Sequence, residues 1–242
     1  MPLSARKKQY LKTMGIPLWN ARPGFFTTVE AEIDSDSLHE TPPVVPNNDL
    51  IEKQQGTVDW HTLQQTVAQC MACDLHKTRT NTVFGVGNEQ ADWMIIGEAP
   101  GADEDARGEP FVGKAGQLLN QMMLGVGLSR EQVFIANILK CRPPNNRDPH
   151  KEEVTACSNF LQQQIEYINP KVILAVGRVS AQNLLNTKET IGRIRGKVHH
   201  YASTGIPIVA TYHPAYLLRS PLEKRKSWGD LLLAKRVMQG QL

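Results

Sequence analysis

Residues 93–123 read WMIIGEAPGADEDARGEPFVGKAGQLLNQMM. The run WMII, closed by Gly97, predicts a short strand buried on both faces. A polar turn and loop follow, and residues 115–123 space their apolar side chains as a helix does. Strand, loop and helix in that order form half of a crossover in a parallel sheet. The same stretch contains GEPFVGKA (108–115), one residue short of the phosphate-binding pattern G-x-x-x-x-G-K-[ST]. That loop needs a strand immediately before its first glycine and a hydroxyl after its lysine to hold magnesium. Here the strand ends at Gly97, eleven residues before Gly108, and Ala115 has no hydroxyl. Asp103, Glu104 and Asp105 would also repel phosphate. The stretch is not a triphosphate site. It offers a tight GEAPG turn, a polar loop, and Phe111 presented just before a helix.

Three more short, β-branched apolar runs follow: VFIANIL (133–139), KVILAVG (171–177) and PIVATYH (207–213). Helical patterns at 151–167, 179–185 and 222–238 alternate with them. Alternation of this kind implies an α/β fold of three layers, with a central, mostly parallel four-stranded sheet covered on both sides. Ligands in such folds bind beyond the carboxyl ends of the strands. Four stretches fall there: GEAPG, ANILKCRPP, AVGR and TYHPAYLL.

The charge is unevenly spread. Residues 1–22 carry Arg6, Lys7, Lys8, Lys12 and Arg22 with no acid, whereas 26–57 carry seven acids against Lys53 alone. The acidic stretch includes Pro42, Pro43 and Pro46 and has too little apolar surface to offset its ordering entropy. It reads as a linker (26–57) between a basic amphipathic partner-binding peptide (1–25) and the α/β domain (58–242). From 190 to 226 there are seven Lys or Arg and one acid, Glu223, a bias suited to a surface that faces a polyanion. No apolar run reaches the roughly 18 residues of a membrane span, and no apolar segment follows the basic start as in a secretory signal. A cytoplasmic, monomeric protein is expected. In a reducing compartment the four cysteines are better read as metal ligands or free thiols than as disulfides. Cys70 and Cys73 form C-M-A-C; Cys141 follows a strand, and Cys157 lies within a helix with fifteen residues between the two. That spacing suits tetrahedral zinc and an iron–sulfur cluster equally.

GEAPGADEDARGEPFVGKAG, NILKCRPPNNR (137–147) and HPAYLLR (213–219) together resemble the motif set of the family 4, iron–sulfur uracil-DNA glycosylases. The resemblance runs from about Cys70 to the C-terminus. It implies uracil-containing DNA as substrate and hydrolysis of the N-glycosidic bond of an extruded uracil. It also implies a [4Fe–4S] cluster on Cys70, Cys73, Cys141 and Cys157, with zinc as the alternative. The uracil departs as an anion while the sugar becomes cationic, so the site needs donors to the base oxygens and a place for water. Asn137 matches the base-reading amide, which accepts from N3–H and donates to O4, the opposite of what cytosine presents. Phe111 matches the stacking ring, and Gly97 and Ala99 the turn against the base. His213 matches the donor to uracil O2. Glu98 stands where the carboxylate positions water or stabilises the cationic sugar. Tyr216, Leu217, Leu218 and Arg219 match a wedge that fills the gap in the stack. Arg193, Arg195 and Lys197, on a glycine-flanked loop, suit phosphate contacts.

The segment YLKTMGIPLWNARPG (10–24) is similar to the amino terminus of the psi subunit of bacterial DNA polymerase III. That resemblance implies attachment to the clamp loader through residues 1–25. A clamp-loader adaptor on a retired glycosylase scaffold is the rival reading. An adaptor, however, has no use for Glu98, Phe111, Asn137, His213 and four cysteines together.

Overall fold

The fold is given by a computed structural model that describes residues 59–241. The partner-binding peptide and acidic linker expected from the sequence lie outside the described residues. Helix α1 (Trp60–Ala68) opens the domain, its amino end capped by the Asp59 carboxylate on the Thr62 amide. The order is then β1 (Val86–Gly87), β2 (Trp93–Gly97), α2 (Ala102–Arg107), α3 (Lys114–Gly125), β3 (Phe134–Asn137) and α4 (Lys151–Ile168). There follow β4 (Val172–Val176), α5 (Arg178–Leu184), α6 (Ile191–Ile194), β5 (Val198–His200), β6 (Pro207–Thr211), α7 (Pro214–Arg219) and α8 (Lys224–Met238).

The sheet has six strands in the order β1-β3-β2-β4-β6-β5. Its four central strands are parallel, as expected. Two short antiparallel strands at the edges, β1 and β5, were not foreseen. At two and three residues with partly exposed side chains, they carry too little apolar pattern to be seen in sequence.

Alternation along each central strand sends side chains to opposite faces, and each face has its own core. On one, Met94, Ile96, Ile173, Ala175 and Ile208 pack with Leu63 and Val67 of α1, Leu161 and Ile165 of α4, and Ala181 of α5. On the other, Ile95, Ile135, Leu174 and Val209 pack with Leu119 and Met123 of α3 and Leu231 and Ala234 of α8. The chain steps from β2 to β3 on one side, then crosses to β4 and β6 on the other. A crevice therefore opens beyond the carboxyl end of β2, where connections diverge.

Candidate active site

In the crevice β2 and β3 end in register, Gly97 beside Asn137, and β6 stops two residues short of His213. Glu98, Ala99, Phe111, Asn137, His213 and Arg219 line one cavity there of about 500 Å³. Residues from four separated segments thus share a single opening.

Asn137 is buried at 2% exposure, and its side-chain Oδ1 has no hydrogen-bond partner among the described residues. A buried acceptor without a donor is costly, on the order of 1–3 kcal/mol. Gly97 makes this placement feasible. A Cβ there would lie 2.4 Å from Asn137 Oδ1 and 2.6 Å from Phe111 Cζ, so only a bare backbone lets both side chains close on the strand end.

Phe111 has a left-handed backbone, φ 53°, which a bulky residue adopts only when its surroundings enforce it. Two side chains do so. Glu104 Oε1 accepts from the amides of Val112 (3.0 Å) and Gly113 (3.1 Å), and its Oε2 from Gly101 (3.1 Å). Arg130 donates to the carbonyls of Phe111 (3.3 Å) and Pro110 and to Asn120 Oδ1 (3.3 Å). Gly116 completes the cradle, because a Cβ on it would stand 1.7 Å from the Phe111 carbonyl oxygen. Sequence reasoning missed Glu104 and Arg130 as parts of the site. Glu104 did carry a signal, three residues after Gly101 at the start of α2, where a carboxylate reaches back to the cap. Arg130 carried none.

The Phe111 ring faces the His213 imidazole, centroids 5.7 Å apart and planes 29° from parallel. His213 caps α7, its Nδ1 accepting from the Ala215 amide at 3.2 Å. In the neutral ring the proton therefore sits on Nε2. Burial, helped by the Arg219 cation and opposed by Glu104, pushes the imidazole down to about 4. Near neutrality it is an uncharged donor. Glu98 moves the other way. Burial first, then the Asp148 carboxylate, raise it to about 7, with Arg178 pulling back. Asp148 is ion-paired to Arg178 and lines the cavity with Pro143, Asn146 and Arg147. Arg147 in turn pairs with Glu153 at 2.5 Å. Residues 143–148 thus contribute a second wall of the cavity, separate in sequence from the Phe111 loop.

Cys70, Cys73, Cys141 and Cys157 border one small cavity. Among the described residues no three His, Cys, Asp or Glu side chains are grouped around one ion position; the four thiols surround a shared space instead. Arg79 Nη1 approaches Cys141 Sγ at 3.1 Å, and the Lys140 amide approaches Cys157 Sγ at 3.3 Å. Burial pushes the Cys157 thiol up to about 11 and raises Cys141, so these sulfurs need a cation to ionise. Four soft thiols, two N–H donors on sulfur and no carboxylate or imidazole in the lining fit a thiolate-bound metal centre.

The expected DNA face is only partly as foreseen. Arg193 and Lys197 are exposed. Arg195 is not free for phosphate, which corrects the expectation. Its guanidinium holds the buried Asp230 at 3.0 and 2.8 Å and the Lys226 carbonyl at 2.6 Å, and lies over the Tyr212 ring. The basic count of the loop could not reveal a carboxylate 35 residues away. Leu217 is also corrected. It is fully buried, whereas Leu218 is 44% and Tyr216 37% exposed. On so short a helix Pro214 and Leu217 face inward together, which leaves Tyr216 and Leu218 as its exposed apolar side chains.

A parallel α/β sheet with an aromatic, an amide and an imidazole gathered at its carboxyl ends matches a known class. The Uracil DNA glycosylase superfamily model matches residues 84–233, and the chain belongs to that family. Within it, the chain is similar to proteins named type-4 uracil-DNA glycosylase. That of Archaeoglobus fulgidus is 52% identical over 161 residues, 64% of this chain and 81% of the relative. That of Thermotoga maritima is 45% identical over 159 residues, 65% and 82%. That of Pyrobaculum aerophilum is 43% identical over 182 residues, 73% and 93%.

Proposed function

We propose that this protein is a uracil-DNA glycosylase of type 4, which takes an extruded uracil into the cavity and hydrolyses its N-glycosidic bond, leaving an abasic site. The observation that carries this reading is the unpartnered, buried Oδ1 of Asn137 beside a stacking ring. Uracil N3–H supplies the missing donor. Cytosine offers a lone pair at that atom and leaves the acceptor unsatisfied. Phe111 stacks on the base, a contact worth ~1–3 kcal/mol. His213, neutral with its proton on Nε2, donates to uracil O2 as negative charge develops there. Glu98 sits beyond the strand end, poised near neutrality, and accepts a proton from the attacking water or faces the cationic sugar. Arg193, Lys197 and Arg219 meet backbone phosphates, while Tyr216 and Leu218 occupy the vacated stack.

Cys70, Cys73, Cys141 and Cys157 would hold a [4Fe–4S] cluster, with zinc the alternative. When bound it supplies a fixed, electron-rich anchor for residues 142–150, and no step of the hydrolysis passes through it. Clamp-loader attachment through residues 1–25 rests on the sequence resemblance alone.

Purified protein incubated with a uracil-containing oligonucleotide and then with alkali should cut the strand at uracil and spare the cytosine control. Asn137→Ala and His213→Ala should each slow excision by roughly 10²-fold or more, as loss of one donor to a developing charge does. Strand cutting by Asn137→Ala at the parent rate would overturn the proposal. Absorbance in the visible region of the same sample separates iron–thiolate from zinc.

A further inference from the structure

Lys140 is among the most buried side chains of the domain, at 1% exposure. Its ammonium donates to the Asn137 main-chain carbonyl at 3.0 Å and to Gln164 Oε1 at 2.6 Å. Gln164 is itself fully buried and donates onward to the Phe84 carbonyl at 2.9 Å. No carboxylate pairs with Lys140 among the described residues; the ion pairs of the domain lie elsewhere. A charge buried this deeply is costly unless an opposite charge lies near it. Lys140 borders the cavity of the four cysteines, and its own amide touches Cys157 Sγ. Arg79, which shares the cavity, reaches Cys141 Sγ and the Ala68 carbonyl and likewise has no carboxylate. Two basic side chains without carboxylates thus border the cavity of the four thiols. A metal centre on four thiolates keeps a net charge of about −2, which these two cations balance.

Resting on the proposed metal centre and base-reading role, we infer that Lys140 is a positioning residue linking the two: its ammonium balances the thiolate centre and holds the Asn137 main chain at the pocket. Asn137 and Cys141 are four residues apart, at the pocket and metal ends of one short segment, and the Lys140 side chain folds back along it to bind its start. The amide that reads the base is thereby fixed by a charge that only the occupied centre compensates. Loss of the metal would leave that charge unbalanced and release the strand end.

Lys140→Met keeps the length and apolar stem while removing the charge. On the metal-loaded full chain, metal loss to excess chelator is followed by metal content per protein. In parallel, free uracil is titrated as a competitive inhibitor of excision. Lys140→Met should lose metal about tenfold faster or more, in the range typical of residues that support metal ligands, and should bind free uracil severalfold more weakly. A residue that merely packs would lower the melting temperature and move neither readout. Parent-like metal retention with parent-like uracil inhibition overturns the inference. If Lys140→Met does not fold, Gln164→Glu takes its place. It retains the lysine and offers it a carboxylate, so metal should again be lost faster, and unchanged retention refutes the linkage. A parent that holds no metal, or does not excise uracil, refutes the proposed function instead and is recognised before any variant is made.

Discussion

The two walls of the cavity are built by different means. The Phe111 wall lies within 97–130 and is held by protein groups alone: three amides on Glu104, two carbonyls on Arg130, and the bare backbone of Gly116. The second wall, 143–148, has no strand or α-helix of its own. It is held by Cys141 and Cys157 at or beyond its ends and by the Arg147–Glu153 and Arg178–Asp148 pairs. The second pair is exposed, at 48% and 67%, and such pairs contribute about 0–1 kcal/mol. The stacking surface is therefore intrinsic to the fold, whereas its counterpart would gain a further anchor from the metal centre proposed for the four cysteines.

The largest effect should come from disturbing the intrinsic wall. In Gly116→Ala the new Cβ cannot coexist with the Phe111 carbonyl at 1.7 Å, so the ring must leave its place. Misplacement by an ångström costs on the order of 10² in rate, and single-turnover excision should fall by about that factor or more. A parent-like rate would mean that this wall adjusts freely, and the contrast between the walls would disappear. A smaller, local effect is expected from stripping the metal proposed for the four cysteines. Trypsin should then cut after Arg147 about tenfold faster, since local opening governs such cleavage. Cleavage after Arg107, on the intrinsic side, should stay as before. Equal acceleration at both arginines would show that the metal holds the whole domain and not one wall.

The same division explains what could be read from the sequence. Strands β2, β3, β4 and β6 are continuous apolar runs and the helices between them keep a clear period, so the layers and the four central strands were legible. Asn137 and His213 were singled out by the resemblance of their motifs to a known family, at strand ends where such sheets face a ligand. Features that depend on long-range pairing were not legible. Arg195 points by composition to phosphate, yet Asp230 turns it inward. Arg130 has no motif and acts on Phe111 from nineteen residues away. Leu217 and Leu218 are identical letters, and only the packing of α7 buries one and exposes the other.

The smallest effect concerns Glu98, where the conditional wall touches the chemistry. Its carboxyl is raised to about 7, by burial first and by Asp148 second. If Glu98 takes a proton from water, excision should rise with pH through about 7 as the carboxylate forms, and Glu98→Gln should flatten that limb. Asp148→Asn removes a raising influence, so the limb should move to lower pH by a few tenths of a unit. The same shift has a consequence for stability of opposite sign. A carboxyl raised on folding contributes its stability below the unfolded value near 4.5 and loses it as pH climbs through about 7. Glu98→Gln should therefore melt at a higher temperature than the parent at pH ~8 and at nearly the same temperature at pH ~5. An unmoved limb in Asp148→Asn, with the stability crossover intact in Glu98→Gln, would leave burial alone as the cause of the raised carboxyl. Residues 143–148 would then shape the cavity without tuning its proton chemistry.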